Sequence, residues 1–311
     1  MSVRARIGRT MLAGITVMIA ALGAAPARAA APSGASSVTV TVDRLILDPG
    51  DRGYRGTLAF ALEYRGSRPT YFNLWFTEPV AGSFIGIQPS DVCGWDGTDA
   101  AGRRMMWCGV PGGDLLPGRQ HRFALDFQVL TTPQSYAMTA PDSVLTVQSG
   151  SDATVSGSAP FGTLFRSTSG SLDQPQPYVQ DTRSDISVVT GDATLTRQTD
   201  GTFAGRTSVT VRHGDDAPHF ELSAQLDLPA AVHLDDLDPS DVCMGSYCAV
   251  PGGKFMEGEV RTFDLLLSAP ADTPAGTIGS GSVTVTASWL TEITDVYPAD
   301  NTAAFAVTVA P

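Results

Sequence analysis

The sequence predicts an all-β fold of two tandem antiparallel β-sandwiches, each with a local disulfide. Three observations carry this reading. Apolar and polar residues alternate at period two over short runs, the spacing of strands with one buried face. Beyond the first thirty residues no segment carries a helical apolar stripe. A two-cysteine segment also occurs twice. Pro89-Ser90-Asp91-Val92-Cys93 returns letter for letter as Pro239-Ser240-Asp241-Val242-Cys243, and each copy continues through a second cysteine, Cys108 or Cys248, to Val-Pro-Gly-Gly. A repeat at a spacing of about 150 residues means two copies of one unit.

Taken along the chain, residues 1–29 read as a signal peptide. Arg4, Arg6 and Arg9 precede an apolar run from Met11 to Ala25, and Ala27-Arg28-Ala29 forms an A-x-A cleavage site. That run is shorter than the roughly 20 apolar residues a membrane span needs, so the expectation is cleavage after Ala29 and no membrane insertion. Residues 30–37 are small and polar and read as a disordered tail.

The first sandwich is placed at 38–165. Its alternating runs are Val38, Val40 and Val42; Leu58, Phe60, Leu62 and Tyr64; and Phe123, Leu125, Phe127 and Val129. Tyr71, Trp75 and Phe76 put aromatics on both faces of a further strand. The stretch from Ser143 to Phe161 reads as a degraded final hairpin. Residues 166–183, with Ser167-Thr168-Ser169-Gly170 and Pro175-Gln176-Pro177, read as a flexible linker. The second sandwich occupies 184–311. Its runs are Val209 and Val211; Phe220, Leu222, Ala224 and Leu226; Phe263, Leu265 and Leu267; Val283, Val285, Ala287 and Trp289; and Phe305, Val307 and Val309. Absence of intervening helices favours a sandwich over a parallel α/β sheet.

Charge and cysteines bound the setting. The net charge is −12, and loss of the leader's four arginines takes the mature chain to −16. Lys254 is the single lysine. Nucleic acid and anionic membrane need clustered basic residues and are excluded as partners. In an exported protein the four cysteines are expected to be oxidised. The duplication selects Cys93 with Cys108 and Cys243 with Cys248, because only a linkage inside each copy works in a single ancestral unit. A four-cysteine zinc site is the competing reading, but the spacings lack a paired C-x-x-C pattern.

Chemistry is harder to find. There is no G-x-S-x-G, no H-E-x-x-H and no phosphate-binding glycine loop. The expectation is that the chain is not an enzyme and holds no cofactor. His213 and His219 flank Gly214-Asp215-Asp216-Ala217-Pro218 and read as a solvated polar turn, with a metal site as the alternative. Asp235, Asp236, Asp238 and Asp241 form an acidic run that makes calcium a second hypothesis, although the D-x-D-x-D-G…E loop is missing. Asp241 and its counterpart Asp91 also suit a local role, accepting backbone N–H groups in the turn before each cysteine. The residues between the first cysteine pair, Gly94 to Trp107, are the first candidate for binding. Trp95, Arg103, Arg104, Met105 and Trp107 are interface residue types on a disulfide-closed loop. An inward-folded cap over the sandwich is the competing reading for Met106 and Trp107.

Near the C-terminus, Asp295-Val296-Tyr297-Pro298-Ala299-Asp300-Asn301-Thr302-Ala303 precedes a last alternating strand. With an opening strand near Gly191-Asp192 and the cysteine segment after Pro229, this ending resembles the bacterial immunoglobulin-like conserved repeat domains of cell-surface and secreted proteins. The resemblance covers roughly 184–311; the first copy joins only through the internal repeat. It implies immunoglobulin-like sandwiches in an extracellular scaffold or adhesion role, and it supplies no catalytic residues. The expected protein is secreted, extracellular or wall-associated, and monomeric, meeting an extracellular protein or a wall glycan. A calcium-dependent carbohydrate-binding module is the second reading, and a secreted hydrolase without a recognisable motif the third.

Overall fold

A computed structural model of the chain describes residues 37–150, 154–287 and 294–311. The leader, the tail up to residue 36 and Trp289 lie outside the described residues. Within them every α- or β-element is a strand, and no helix is long and apolar enough to cross a membrane.

The first sandwich contains β1 (Val38–Val42), β2 (Leu45–Gly50), β3 (Gly53–Tyr64), β4 (Phe72–Thr77), β5 (Phe84–Gln88), β6 (Cys93–Thr98), β7 (Arg104–Gly109), β8 (Gln120–Val129), β9 (Met138–Ser149) and β10 (Val155–Phe165). A two-residue strand, β11 (Gln176–Pro177), follows. The second sandwich contains β12 (Ile186–Thr190), β13 (Ala193–Arg197), β14 (Phe203–His213), β15 (Leu222–Asp227), β16 (His233–Asp238), β17 (Cys243–Met244), β18 (Tyr247–Ala249), β19 (Val260–Ala269), β20 (Gly276–Ala287) and β21 (Thr302–Val309).

Strand order shows the duplication directly. The first unit runs β5-β8-β3-β2-β10-β9-β4-β7-β6 with β1 beside β3, and the second runs β16-β19-β14-β13-β21-β20-β15-β18-β17 with β12 beside β14. Each path is two antiparallel layers joined by one parallel pair, β2 with β10 and β13 with β21. Both units also carry a bulge at the same place, between Phe84 and Gly86 and between Leu234 and Asp236. The peptide bonds before Pro89 and Pro239 are both cis.

The period-two runs point inward as expected. Leu58, Phe60, Leu62, Phe123, Leu125 and Phe127 line the first core, and Val209, Val211, Phe263, Leu265 and Phe305 the second. Phe76, Phe84 and Phe127 meet with centroids 5.2–6.1 Å apart, near edge-to-face, the arrangement aromatic quadrupoles favour.

Two expectations need correction. The final hairpin of the first copy is not degraded: β9 and β10 are twelve and eleven residues long and pair along most of their length. Glycines and prolines hid this strand, because Gly157 and Gly162 sit at its register shifts and Pro160 interrupts its pattern. Nor does the linker run free. Gln176 and Pro177 pair with β9, and Tyr178 stacks on Phe165 at 5.0 Å.

Both disulfides close inside their own copy, Cys93 with Cys108 and Cys243 with Cys248. Each joins directly opposed residues of a hairpin. Replacing Cys243 and Cys248 by serines is expected to lower stability by about 2 kcal/mol through lost loop constraint. A shifted urea midpoint with unchanged slope would show it.

Candidate functional site

The segment between Cys93 and Cys108 is a β-hairpin rather than a loop. Asp99 builds its turn, accepting the N–H groups of Ala101 and Arg103 at 2.9 and 3.0 Å, and Gly102 takes a φ of 73° there. Because β7 pairs with β4, the hairpin extends a sheet and its side chains alternate in the sheet's phase. Phe72, Leu74 and Phe76 point inward, so Asn73, Trp75 and Thr77 point outward. Trp107 is the direct cross-strand partner of Trp75, and Met105 that of Thr77.

The result is an apolar face on the outside of the β9-β4-β7-β6 layer. Trp75 and Trp107 lie half-buried side by side, with Met105 and Val144 exposed beside them. Gly94 leaves room for the Trp107 indole, which a Cβ at that position would approach to 2.9 Å. The face forms a shallow groove of about 400 Å³ lined by Trp75, Thr77, Arg103, Met105, Asp142 and Val144. Arg103 is paired with Asp99 at 2.8 Å, while its Nη1 has no partner.

The five residues expected to bind therefore divide. Arg103, Met105 and Trp107 belong to the groove face. Trp95 turns the other way and packs against Phe220 of the second sandwich, ring centroids 5.3 Å apart and tilted by 34°. Arg104 is buried, held by Glu78 through Nε at 3.0 Å and Nη2 at 2.8 Å, and is not presented to a ligand. Glu78 is fully buried and also accepts the N–H groups of Gly82, Phe84 and Arg104. Of the pair expected to cap the core, Met106 goes inside and Trp107 stays on the outer face.

The acidic run is not gathered around a point. Asp235 accepts from Ser268, Asp236 from Leu237 and Ser240, and Asp238 faces Arg206 at 3.7 Å. Asp241 accepts the N–H of Val242 at 2.8 Å, as Asp91 does that of Val92 at 2.7 Å, which is the local turn role. Among the described residues no group of three or more His, Cys, Asp or Glu is placed to hold a metal ion.

The histidine turn departs most from expectation. His213, Asp215 and His219 are 1%, 5% and 6% exposed. They sit where the two sandwiches meet, beside a cavity of about 50 Å³ that Ala81, Gly82, Tyr178 and Gln180 wall from the other side. The linker seals it: Tyr178 donates to Asp216, and Gln180 donates to the Asp216 carbonyl at 2.9 Å. Lys254 donates to the Gly82 carbonyl at 3.0 Å, and Arg52 reaches the Lys254 carbonyl at 2.9 Å. Nothing in the sequence pattern around the turn signals this burial, because the covering residues come from the other copy and the linker.

The chain matches no protein-family model and no curated protein sequence. Among solved structures it is similar to a transglutaminase from red sea bream, at 9% identity and a TM-score of 0.25, over 88% of this chain and 31% of that one. It is also similar to a protein of unknown function from Porphyromonas gingivalis W83, at 10% identity and a TM-score of 0.23, over 88% of this chain and 99% of the other. The chain thus spans about a third of the transglutaminase's length. The class that fold and site define is a tandem immunoglobulin-like sandwich protein with one locally disulfide-closed hairpin per unit.

Proposed function

We propose that this is a secreted bacterial extracellular protein without catalytic activity, an adhesion module that holds a cell-wall glycan on the outer face of its first sandwich. The observation that carries the reading is the Trp75–Trp107 pair lying side by side on a sheet face. Pyranose rings present apolar C–H faces that stack on indoles, whose ring faces are electron-rich. Arg103 and Asp142 at the groove offer a donor and an acceptor for hydroxyl groups. The second copy serves as an internal comparison: Gln225 and Tyr247 stand where Trp75 and Trp107 do, so only the first copy carries the tryptophan pair. The two disulfides and the leader-like N-terminus support export. The likeness to conserved repeat domains of cell-surface proteins agrees with a scaffold role.

Retention on insoluble wall polysaccharide tests it. Trp75→Ala and Trp107→Ala are each expected to weaken retention about tenfold, or about 1.4 kcal/mol, while Tyr247→Ala leaves it unchanged. Retention untouched in the tryptophan variants overturns the assignment of the face. Loss of wild-type retention in chelator would favour a calcium-dependent carbohydrate module instead. Retention abolished by protease treatment of the wall would point to a protein partner.

A further inference from the structure

The duplication makes the chain its own control at the buried histidines. Tyr64 ends β3 as His213 ends β14, and the match is fixed by hydrogen bonds. Gly118 donates to the Tyr64 carbonyl at 2.8 Å, and Gly258 donates to the His213 carbonyl at 2.8 Å. Six residues on from each stands the facing partner, Thr70 or His219. In the first copy the two side chains satisfy one another, Tyr64 Oη to Thr70 Oγ1 at 2.9 Å. In the second, two imidazoles face each other with centroids 4.7 Å apart. His213 Nδ1 and Nε2 and His219 Nδ1 are buried without a hydrogen-bond partner. Leaving such groups unpaired is costly, so where the first copy has a satisfied hydroxyl pair the second keeps three unpaired imidazole nitrogens at the surface that meets the other sandwich.

We propose that the His213–His219 pair is a proton-operated latch on the seam between the two sandwiches, closed while both imidazoles are neutral and released as the surrounding medium turns acidic. Every charge facing the pair has a place in this. Asp215 lies 3.7 Å from His213 Nε2, and Asp216, Asp185 and Glu259 add negative field around His213. Lys254 and Arg261 add positive field at His219. Behind Lys254 stand Arg104 and Glu78 of the first sandwich. Around Asp216 stand Tyr178, Asp181 and Glu257. Burial holds both imidazoles below their ordinary range, His219 at about 3, where the facing His213 and Lys254 add to the effect.

The direction follows from which form binds more protons. Opening returns each imidazole to an ordinary midpoint near 6.5. The open form therefore gains protons below pH 6.5, and the closed form loses ground as pH falls. Burial raises Asp215 to about 6 and raises Asp216 as well, so as pH falls both acids take protons more readily in the closed form than in the open one and oppose release. Between pH 7.5 and 5, His219 alone favours opening by about 30-fold and Asp215 opposes it by about 10-fold. His213 adds to His219 as Asp216 adds to Asp215, and the latch requires the two imidazoles to outweigh the two acids.

Small-angle scattering of the mature chain tests this. The radius of gyration is expected to rise reversibly between pH 7.5 and 5 while the β-sheet circular dichroism signal persists. In the double variant His213→Tyr/His219→Thr, which copies the first sandwich's satisfied pair, the rise is expected to vanish. A radius constant to pH 5, or an equal rise in the double variant, overturns the latch. Should that variant not fold, NMR of the wild-type imidazoles decides: their titration must share its midpoint with the scattering change, and separate midpoints overturn the proposal.

Discussion

Arg104→Leu is expected to destabilise the protein by about 3–5 kcal/mol, the cost of removing one partner from a buried ion pair. Glu78 has no exposed surface, and the guanidinium meets both its oxygens, at 3.0 and 2.8 Å. Leucine fills part of the volume but leaves a carboxylate in an apolar setting. The backbone N–H groups of Gly82, Phe84 and Arg104 still bind that carboxylate, so it cannot swing out to water without leaving two buried donors and one half-buried donor unpaired. The loss spreads to the seam. Arg104 also lies 5.8 Å from the Trp95 ring centroid and 6.0 Å from that of Phe220, which together bridge the two sandwiches. Arg104→Lys should recover only part of the loss, because a point charge does not reproduce the two-pronged contact. Urea unfolding measures both variants; a cost below about 1 kcal/mol for leucine would show that the pair contributes little.

That pair marks the limit of reading this chain from its residues. Period two announced the strands, since burial of one sheet face leaves a local signature every second residue. The duplication announced the disulfide pairing and the second sandwich. Aromatics on both faces of one strand were legible at Tyr71, Trp75 and Phe76, but it is the fold that turns Phe72, Leu74 and Phe76 inward and Trp75 outward. A local turn role for Asp91 and Asp241 was legible beside the calcium reading of Asp241. Glu78 follows the end of β4 and Arg104 opens β7, 26 residues later, and no local pattern links them. His213 and His219 look like any polar turn until a second domain covers them. Partners that come from elsewhere in the chain decide these sites, so their chemistry appears only with the tertiary fold.

Gly56→Ala and Gly205→Ala are each expected to cost about 3 kcal/mol or more, near the upper end for overpacking. The two glycines occupy matching places on β3 and β14. A Cβ on Gly56 would lie 2.1 Å from the carbonyl oxygen of Ile46, and one on Gly205 2.2 Å from that of Thr194. Both obstacles are backbone, so no rotamer change relieves them. Ile46 and Thr194 belong to the short strands that leave one layer to make the parallel pairing with the other, Ile46 with Leu164 and Thr194 with Thr308. The crossing strand must pass directly over the glycine to reach its partner. Alanine lifts it away and loosens the parallel strand pairing that joins the two layers of each sandwich. Gly86→Ala is the control: it lies in a strand of the same domain, its Cβ would meet nothing within 4 Å, and its cost should stay within about 0.5 kcal/mol. Thermal or urea unfolding of the three variants separates the outcomes. Equal costs at Gly56 and Gly86 would mean that close passage of the crossing strand does not constrain the position, and that strand propensity alone accounts for the loss.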